Sequence, residues 1–427
     1  MRSSETPPEV IRAIARAHNE EWAYVLAATV RVTRDLDLAE DCVQDAYARA
    51  LVNWPANGIP RRPGAWLTTV ARRRALERLR RATTLARKLP LLIVDDKPGM
   101  PAESRDAATF PDDRLRLIFT CCHPALSTDA QLALTLRLVC GLTSAEVARA
   151  FLVKEATMRA RITRAKQKIA EAGIPYRVPA EHELLERVGV VLDAIHLLYS
   201  SGYTAASGDD LVRGDLAARA LDLATMMHTL LPGLSEVKGL LALLRLTDAR
   251  QSARVSPEGQ LILMEDQKRS LWDSAAIDTG LRLVHEALSI PPAGRYALMA
   301  AIAAVHAEAP RWEETDWPQL VGLYDLLLQR WPTPVVALNR AVALSFVEGP
   351  AAALDALEEI ADDPALTAYP YLAATRADLF RRLGRTQAAR AAYREALRLT
   401  RNSAEADFLK RRIEALLMNT SSATDTG

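Results

Sequence analysis

Residues 142–169 read LTSAEVARAFLVKEATMRARITRAKQKI, and the stretch parses as two helices joined by a tight turn. Thr143 or Ser144 supplies an N-cap, and Glu146 gives the first helix an acidic first turn, with Val147, Ala148 and Phe151 facing inward. Leu152, Val153 and Lys154 make the turn. In the second helix Met158, Ile162, Ala165 and Ile169 recur at helical spacing on one side, whereas Arg161, Arg164 and Lys168 line another. One face packs and the other is cationic, as in a helix that lies in a DNA major groove. Its N-terminal residues Glu155, Thr157, Arg159 and Arg161 would stand nearest the base edges, and Arg164, Lys166 and Lys168 nearer the phosphates. A solvated basic helix on an ordinary helical domain shares this pattern, so the rest of the chain has to decide between them.

A chain of 427 residues has room for several compact units. The hydrophobic fraction of 49% and charged fraction of 25% suit a folded soluble protein, and the abundance of Ala, Leu and Arg with few aromatics predicts an all-α fold. The net charge of +1 argues against nucleic acid only if charge is evenly spread. It is not: Arg137, Arg149, Lys154, Arg159, Arg161, Arg164, Lys166 and Lys168 are accompanied in that stretch only by Glu146 and Glu155. The cysteines Cys42, Cys121, Cys122 and Cys140 form no CxxC pair, which predicts reduced thiols. Adjacent Cys121, Cys122 and His123 suit zinc spacing poorly and read as core residues, so neither metal nor cofactor is expected. No apolar run is long enough to span a bilayer and no export segment is evident, which predicts a cytoplasmic protein with no membrane partner.

Upstream, residues 10–33 place Ile11, Ile14, Trp22, Val25, Leu26 and Val30 at helical intervals and predict an opening pair of helices. Residues 36–51, LDLAEDCVQDAYARAL, form one amphipathic helix, with Leu38, Cys42, Val43, Ala46, Tyr47 and Ala50 inward and Glu40, Asp41, Gln44, Asp45 and Arg49 outward. The Pro- and Gly-rich stretch 53–64 predicts a loop. The helix after it buries Trp66, Leu67, Val70, Leu76 and Leu79 and carries Arg72, Arg73, Arg74, Arg78, Arg80 and Arg81 with only Glu77 beside them, which points to a polyanion. Residues 82–111 read as an extended linker, and 112–138 resume the helical pattern with Leu115, Ile118, Phe119, Leu126, Leu134 and Leu136.

These strings resemble bacterial σ70-family RNA polymerase sigma factors of group 4, the extracytoplasmic-function group. The run from Thr157 to Lys166 matches the family's threonine, apolar, basic, small, arginine, apolar, hydroxyl, arginine, alanine, basic pattern of the −35 reader. AEDCVQDAY is similar to the segment that docks on the β′ coiled coil of core RNA polymerase, which implies polymerase contacts at Asp41, Gln44 and Asp45. The WL and LRR strings around Trp66 and Arg78 to Arg81 resemble the −10 reader, which implies single-strand contacts at Trp66, Arg72, Arg73, Arg74, Arg78, Arg80 and Arg81. Arg73 and Glu77 stand where the family often has Asn and Asp. The linker, with Asp95, Asp96, Glu103 and Asp106, would thread toward the RNA exit path. The resemblance thus implies core RNA polymerase, through its β′ coiled coil and β flap, and promoter DNA as partners, and no enzymatic activity of the chain's own.

Beyond Pro175 the composition turns Ala- and Leu-rich, with helical faces such as Leu216, Ala220, Leu223, Ala224, Met227 and Leu230. Ala377, Phe380, Gly384, Ala389, Tyr393 and Ala396 stand at tetratricopeptide spacings, and Ala343, Phe346, Gly349 and Ala353 echo them one repeat earlier, which predicts a helical-repeat array. A polar cluster of His196, Tyr199, Tyr203, Asp209, Arg245, Asp248 and Arg250 shows no nucleophile, base and orienter arrangement, and Arg245 with Asp248 reads as a helix ion pair. LLYSSGY, LLALLRLTDAR, TDW and LNRAVAL are similar to the sigma-factor group that carries a tetratricopeptide-like C-terminal domain, implying a regulatory extension able to take a regulatory protein. The expected limits are 1–82 for σ region 2, 83–111 for the linker, 112–174 for region 4, 175–420 for the extension and 421–427 for a disordered tail. The rival is a helix-turn-helix regulator that binds duplex DNA unaided, its repeat domain sensing a ligand or protein.

Overall fold

The computed structural model describes residues 7–88, 113–151, 153–203 and 212–424. Among them are eighteen α-helices and no strand beyond one isolated bridge between Val255 and Leu261. Leu152, Asp209 and the linker acids Asp95, Asp96, Glu103 and Asp106 lie outside the described residues. The chain divides into two compact units, Met1–Ala194 and Ile195–Gly427.

In the first unit, α1 (Pro8–Thr33), α2 (Leu36–Asn57) and α3 (Pro63–Lys88) pack on one another. The expected opening pair is the single helix α1, since nothing between Val10 and Thr33 breaks it and Ala17, Trp22, Val25, Leu26 and Val30 are buried. Arg34, at φ 55°, ends α1, and the Asp35 carboxylate caps α2 by accepting from the Leu38 N–H at 2.9 Å. Helix α2 also outruns expectation, continuing through Pro55 to Asn57. Trp54 is buried, edge-on to Trp66 at 5.6 Å, and Gly58 closes the turn at φ 82°, so packing overrides proline's missing donor in the last turn. In α3 the buried stripe is Leu67, Ala71 and Ala75. Leu76, expected inside, is exposed, because it sits one position around the helix from that stripe.

Helix α4 (Asp113–Cys121) and α5 (Thr128–Leu134) follow, the latter running into a π turn, Thr135–Val139, closed by Cys140 N–H to the Thr135 carbonyl at 3.0 Å. Then come α6 (Ser144–Ala150) and α7 (Glu155–Glu171). All four cysteines are buried, and burial pushes the Cys122 thiol up to about 11. Helix α4 and the π turn pack on α1, where Trp22 donates its indole N–H to the Leu138 carbonyl at 3.1 Å. Tyr176 hydrogen-bonds the Ala27 and Asp113 carbonyls at 2.9 and 3.1 Å, so the first stretch of the expected extension belongs with this unit.

Helix α8 (Glu181–Tyr203) carries the boundary between the units. The second unit continues with α9 (Gly214–Leu230), α10 (Ser235–Asp248), α11 (Ser274–Leu288), α12 (Arg295–Glu308), α13 (Trp317–Arg330), α14 (Pro334–Val347), α15 (Pro350–Glu358), α16 (Pro370–Arg382), α17 (Thr386–Leu399) and α18 (Ser403–Thr424). Helix α18 thus enters the stretch expected as a tail. Helix α10 lies so close to α12 that a Cβ on Gly239 would sit 2.5 Å from the Ala297 nitrogen. From α12 onward each helix packs on the next. In the α16–α17 hairpin, Gly384 turns at φ 71°, while Ala377, Ala389, Tyr393 and Ala396 share one core cluster with Phe380 beside it. In the pair α14–α15, Ala343 and Ala353 are buried and Gly349 turns at φ 91°, but the two alanines join different core clusters, Ala343 with α12 and α13 and Ala353 with α15 and α16. The expected Arg245–Asp248 pair is replaced by a contact of the Tyr199 hydroxyl with the Asp248 carboxylate at 3.5 Å.

Candidate nucleic-acid interface

The helix-turn-helix is fixed by a capping box. Thr143 Oγ1 accepts from the Glu146 N–H at 3.2 Å, and the Glu146 carboxylate accepts from the Thr143 N–H at 2.8 Å. Met158, Ile162, Ala165 and Ile169 are buried on the inner side of α7, which leaves Glu155, Thr157, Arg159, Arg164 and Lys168 exposed. Arg159 pairs with Glu155 one turn back, and Arg164 Nε donates to the Ala160 carbonyl at 3.3 Å. Arg161 differs: it stands 3.0 Å from Asp129 of α5, its guanidinium 5.6 Å from the Phe151 ring. Lys166 differs further, for its side chain is only 9% exposed.

On α3, Arg72, Arg73, Arg80 and Arg81 are exposed, and Trp66 is half-buried. Arg74 and Arg78 instead reach across to α2. Arg74 Nε donates to Asp45 at 3.0 Å, and Arg78 reaches Asp45 and Asp41, each at 3.1 Å. The hydrogen bond to Asp45 raises the Arg74 pKa, with Glu77 adding to it. Gln44 is exposed beside them. Residues implied for polymerase and residues implied for single-stranded DNA therefore touch within one three-helix layer.

Glu40 was expected on the outer face of α2 and is buried, because cations from a distant segment enclose it. One carboxylate oxygen takes the Arg137 guanidinium, and the other lies 2.6 Å from Lys166 Nζ, which also meets Asp37 at 2.8 Å. Arg137 further donates to the Leu142 carbonyl at 3.1 Å and lies 5.9 Å over the Trp22 ring. Burial alone would lower the Lys166 pKa, but the Glu40 and Asp37 carboxylates outweigh it and hold the ammonium above its ordinary value. Sequence reasoning missed this site, since partners some hundred residues apart leave no periodic trace. Among the described residues, no cluster of His, Cys, Asp and Glu could hold a metal, and no helix is long and apolar enough to cross a membrane.

Three stretches of the chain match family models. Residues 18–84 match the model of σ70 region 2, residues 116–169 that of σ70 region 4, and residues 187–288 a family of unknown function, DUF6596. A Rhizobium meliloti (strain 1021) protein, named only as uncharacterised, is 42% identical over 394 residues, covering 92% of this chain and 93% of its own. A Mycobacterium tuberculosis protein named a probable ECF RNA polymerase sigma factor, SigI, is 30% identical over 182 residues, which are 42% of this chain and 60% of that one. With region 2 on α1 to α3, region 4 on α4 to α7, and helices continuing beyond both, the chain belongs to the group-4, extracytoplasmic-function sigma factors of the σ70 family and carries a C-terminal helical extension.

Proposed function

We propose that this sigma factor reads a −35 duplex with α7 and captures −10 single strand with α3 while docked on core RNA polymerase through α2. The observation that carries the reading is the capping-box helix-turn-helix in region 4, whose exposed α7 face carries Thr157, Arg159, Arg164 and Lys168. Arg159 and Thr157, in the first turns of α7, suit base edges, and Arg164 and Lys168 suit phosphates. Arg161, held against Asp129, contributes both by contact and by setting the helix on α5. On α3 the exposed Arg72, Arg73, Arg80 and Arg81 supply salt-dependent phosphate affinity, with Trp66 and the loop before it near the unstacked bases. Asp41, Gln44 and Asp45 form the polymerase-facing patch, toward the β′ coiled coil, and region 4 faces the β flap. The functional limits are those expected from the sequence: 1–82, 112–174 and an extension from 175 that governs activity, with a regulatory protein as its partner.

Gel filtration with core RNA polymerase tests the docking. The chain co-elutes with core, and Asp41→Lys weakens the association; a chain that elutes alone removes this reading. Arg159→Ala lowers transcription from a cognate promoter about ten-fold, the loss one good base contact implies. Output equal to that of the parent would take Arg159 out of the reading surface.

A further inference from the structure

In the second unit, residues 261–265 and the helices α14, α16 and α18 surround a cavity of about 340 Å³, the size at which small-molecule sites begin. Its lining is largely apolar, with Trp312, Phe346, Leu379, Phe408 and Leu409 among its residues. Two further features mark it as more than a packing gap. Phe346 stays 37% exposed although it stacks on Trp317 at 3.9 Å, and Tyr371 stays 41% exposed although it meets Tyr369 edge-on at 5.0 Å, so aromatic surface remains uncovered. The 261–265 wall is also fastened in place. Leu261 bridges to Val255, while Arg250 donates to the Met264 sulfur at 3.1 Å and Arg269 to the Met264 carbonyl at 3.4 Å.

The charges on the wall are unequally served. Asp378 is held by Arg381 at 2.7 Å, and Glu265 stands 3.7 Å from Arg412. Glu405 accepts from the Tyr371 hydroxyl at 2.6 Å and lies in the first turn of α18, where the helix dipole favours a carboxylate. Arg382, the last residue of α16, has neutral partners instead: it donates to the Ser345 hydroxyl at 2.7 Å and the Ser345 carbonyl at 2.8 Å, with its guanidinium 4.6 Å over the Phe346 ring. Among the described residues no carboxylate pairs with it. A guanidinium laid on an aromatic face and held by hydrogen bonds, with donors left over, is set to receive a planar anion.

We propose that this cavity binds a small amphipathic organic acid, its carboxylate on Arg382 and its ring or short alkyl body against Phe346, Phe408 and Leu409. A monoanion fits better than a phosphate dianion, because one guanidinium already committed to Ser345 faces a wall that also carries Glu265, Asp378 and Glu405. The whole site lies within the second unit, so its occupancy does not depend on polymerase docking.

Calorimetric titration of the full chain with matched pairs tests this: indole-3-acetate, 4-phenylbutyrate and octanoate, each beside its neutral amide. At least one acid binds about ten-fold more tightly than its amide, the gain a charge-assisted hydrogen-bond pair implies, and inorganic phosphate does not displace it. Arg382→Gln makes that acid and its amide equal. Ala374→Leu, which fills the cavity from α16 and leaves Arg382 in place, weakens the acid at least ten-fold. No preference for the acid in any of the three pairs overturns the proposal, as does displacement by phosphate. Acid binding untouched by Ala374→Leu puts the site elsewhere and overturns it equally, even if Arg382→Gln fails to fold.

Discussion

Removing the Glu40 carboxylate would leave Arg137 and Lys166 enclosed with only Asp37 to balance them. Truncating one partner of a buried, hydrogen-bonded ion pair strands the others, so Glu40→Ala should destabilise the first unit by about 3 kcal/mol. A lower melting transition for that unit checks this, and an unmoved transition would mean the cluster contributes nothing net. In the second unit, His306 packs beside both Trp312 and Trp317, at 6.1 and 5.7 Å, and burial, with Arg250 and Arg269 adding to it, pushes its pKa down to about 4. The folded state then keeps the imidazole neutral where the unfolded chain would protonate it. Stability conferred by this site is complete above the ordinary histidine pKa and falls, by about 3 kcal/mol in all, as pH drops toward 4. His306→Phe should therefore melt at a higher temperature than the parent at pH 5, with the gap closing at pH 8; parallel pH profiles would contradict the assignment. Neither residue was legible beforehand. Glu40 occupies an outward position by helical period, and the histidine's neighbours come from separate elements.

At the scale of elements, the helix-turn-helix was the most legible part, because its signals are local: a hydroxyl cap, a glutamate three residues on, and apolar residues three and four apart. Thr143→Ala removes the cap and should cost about 1 kcal/mol in α6. Faster amide exchange at Glu146 and Val147 would register it, and unchanged protection would show that packing alone holds the helix start. The α16–α17 hairpin was legible for the same reason, its alanines, tyrosine and turn glycine falling where the helices touch. Less legible were the ends of α2 and the buried side of α3. Pro55 signals a loop until Trp54 finds Trp66, and Leu76 yields the inner face to Ala71 and Ala75, whose small side chains admit the neighbouring helices. The π turn in Thr135–Val139 left no mark in the pattern. It ends in Cys140, with the Leu138 carbonyl held by Trp22.

For the whole molecule, the sequence carried the family and the order of its parts, whereas the closure of region 4 on region 2 depends on pairings such as Lys166 with Asp37, which no local rule predicts. As proposed above, this chain gives core RNA polymerase its choice of start site. The direct measurement is sequencing of transcript 5′ ends made on genomic DNA by core polymerase with and without the full chain. New start sites that share common −10 and −35 elements, seen only when both components are present, are the predicted result. The same 5′ ends with and without the chain, alongside duplex binding by the chain unaided, would contradict it.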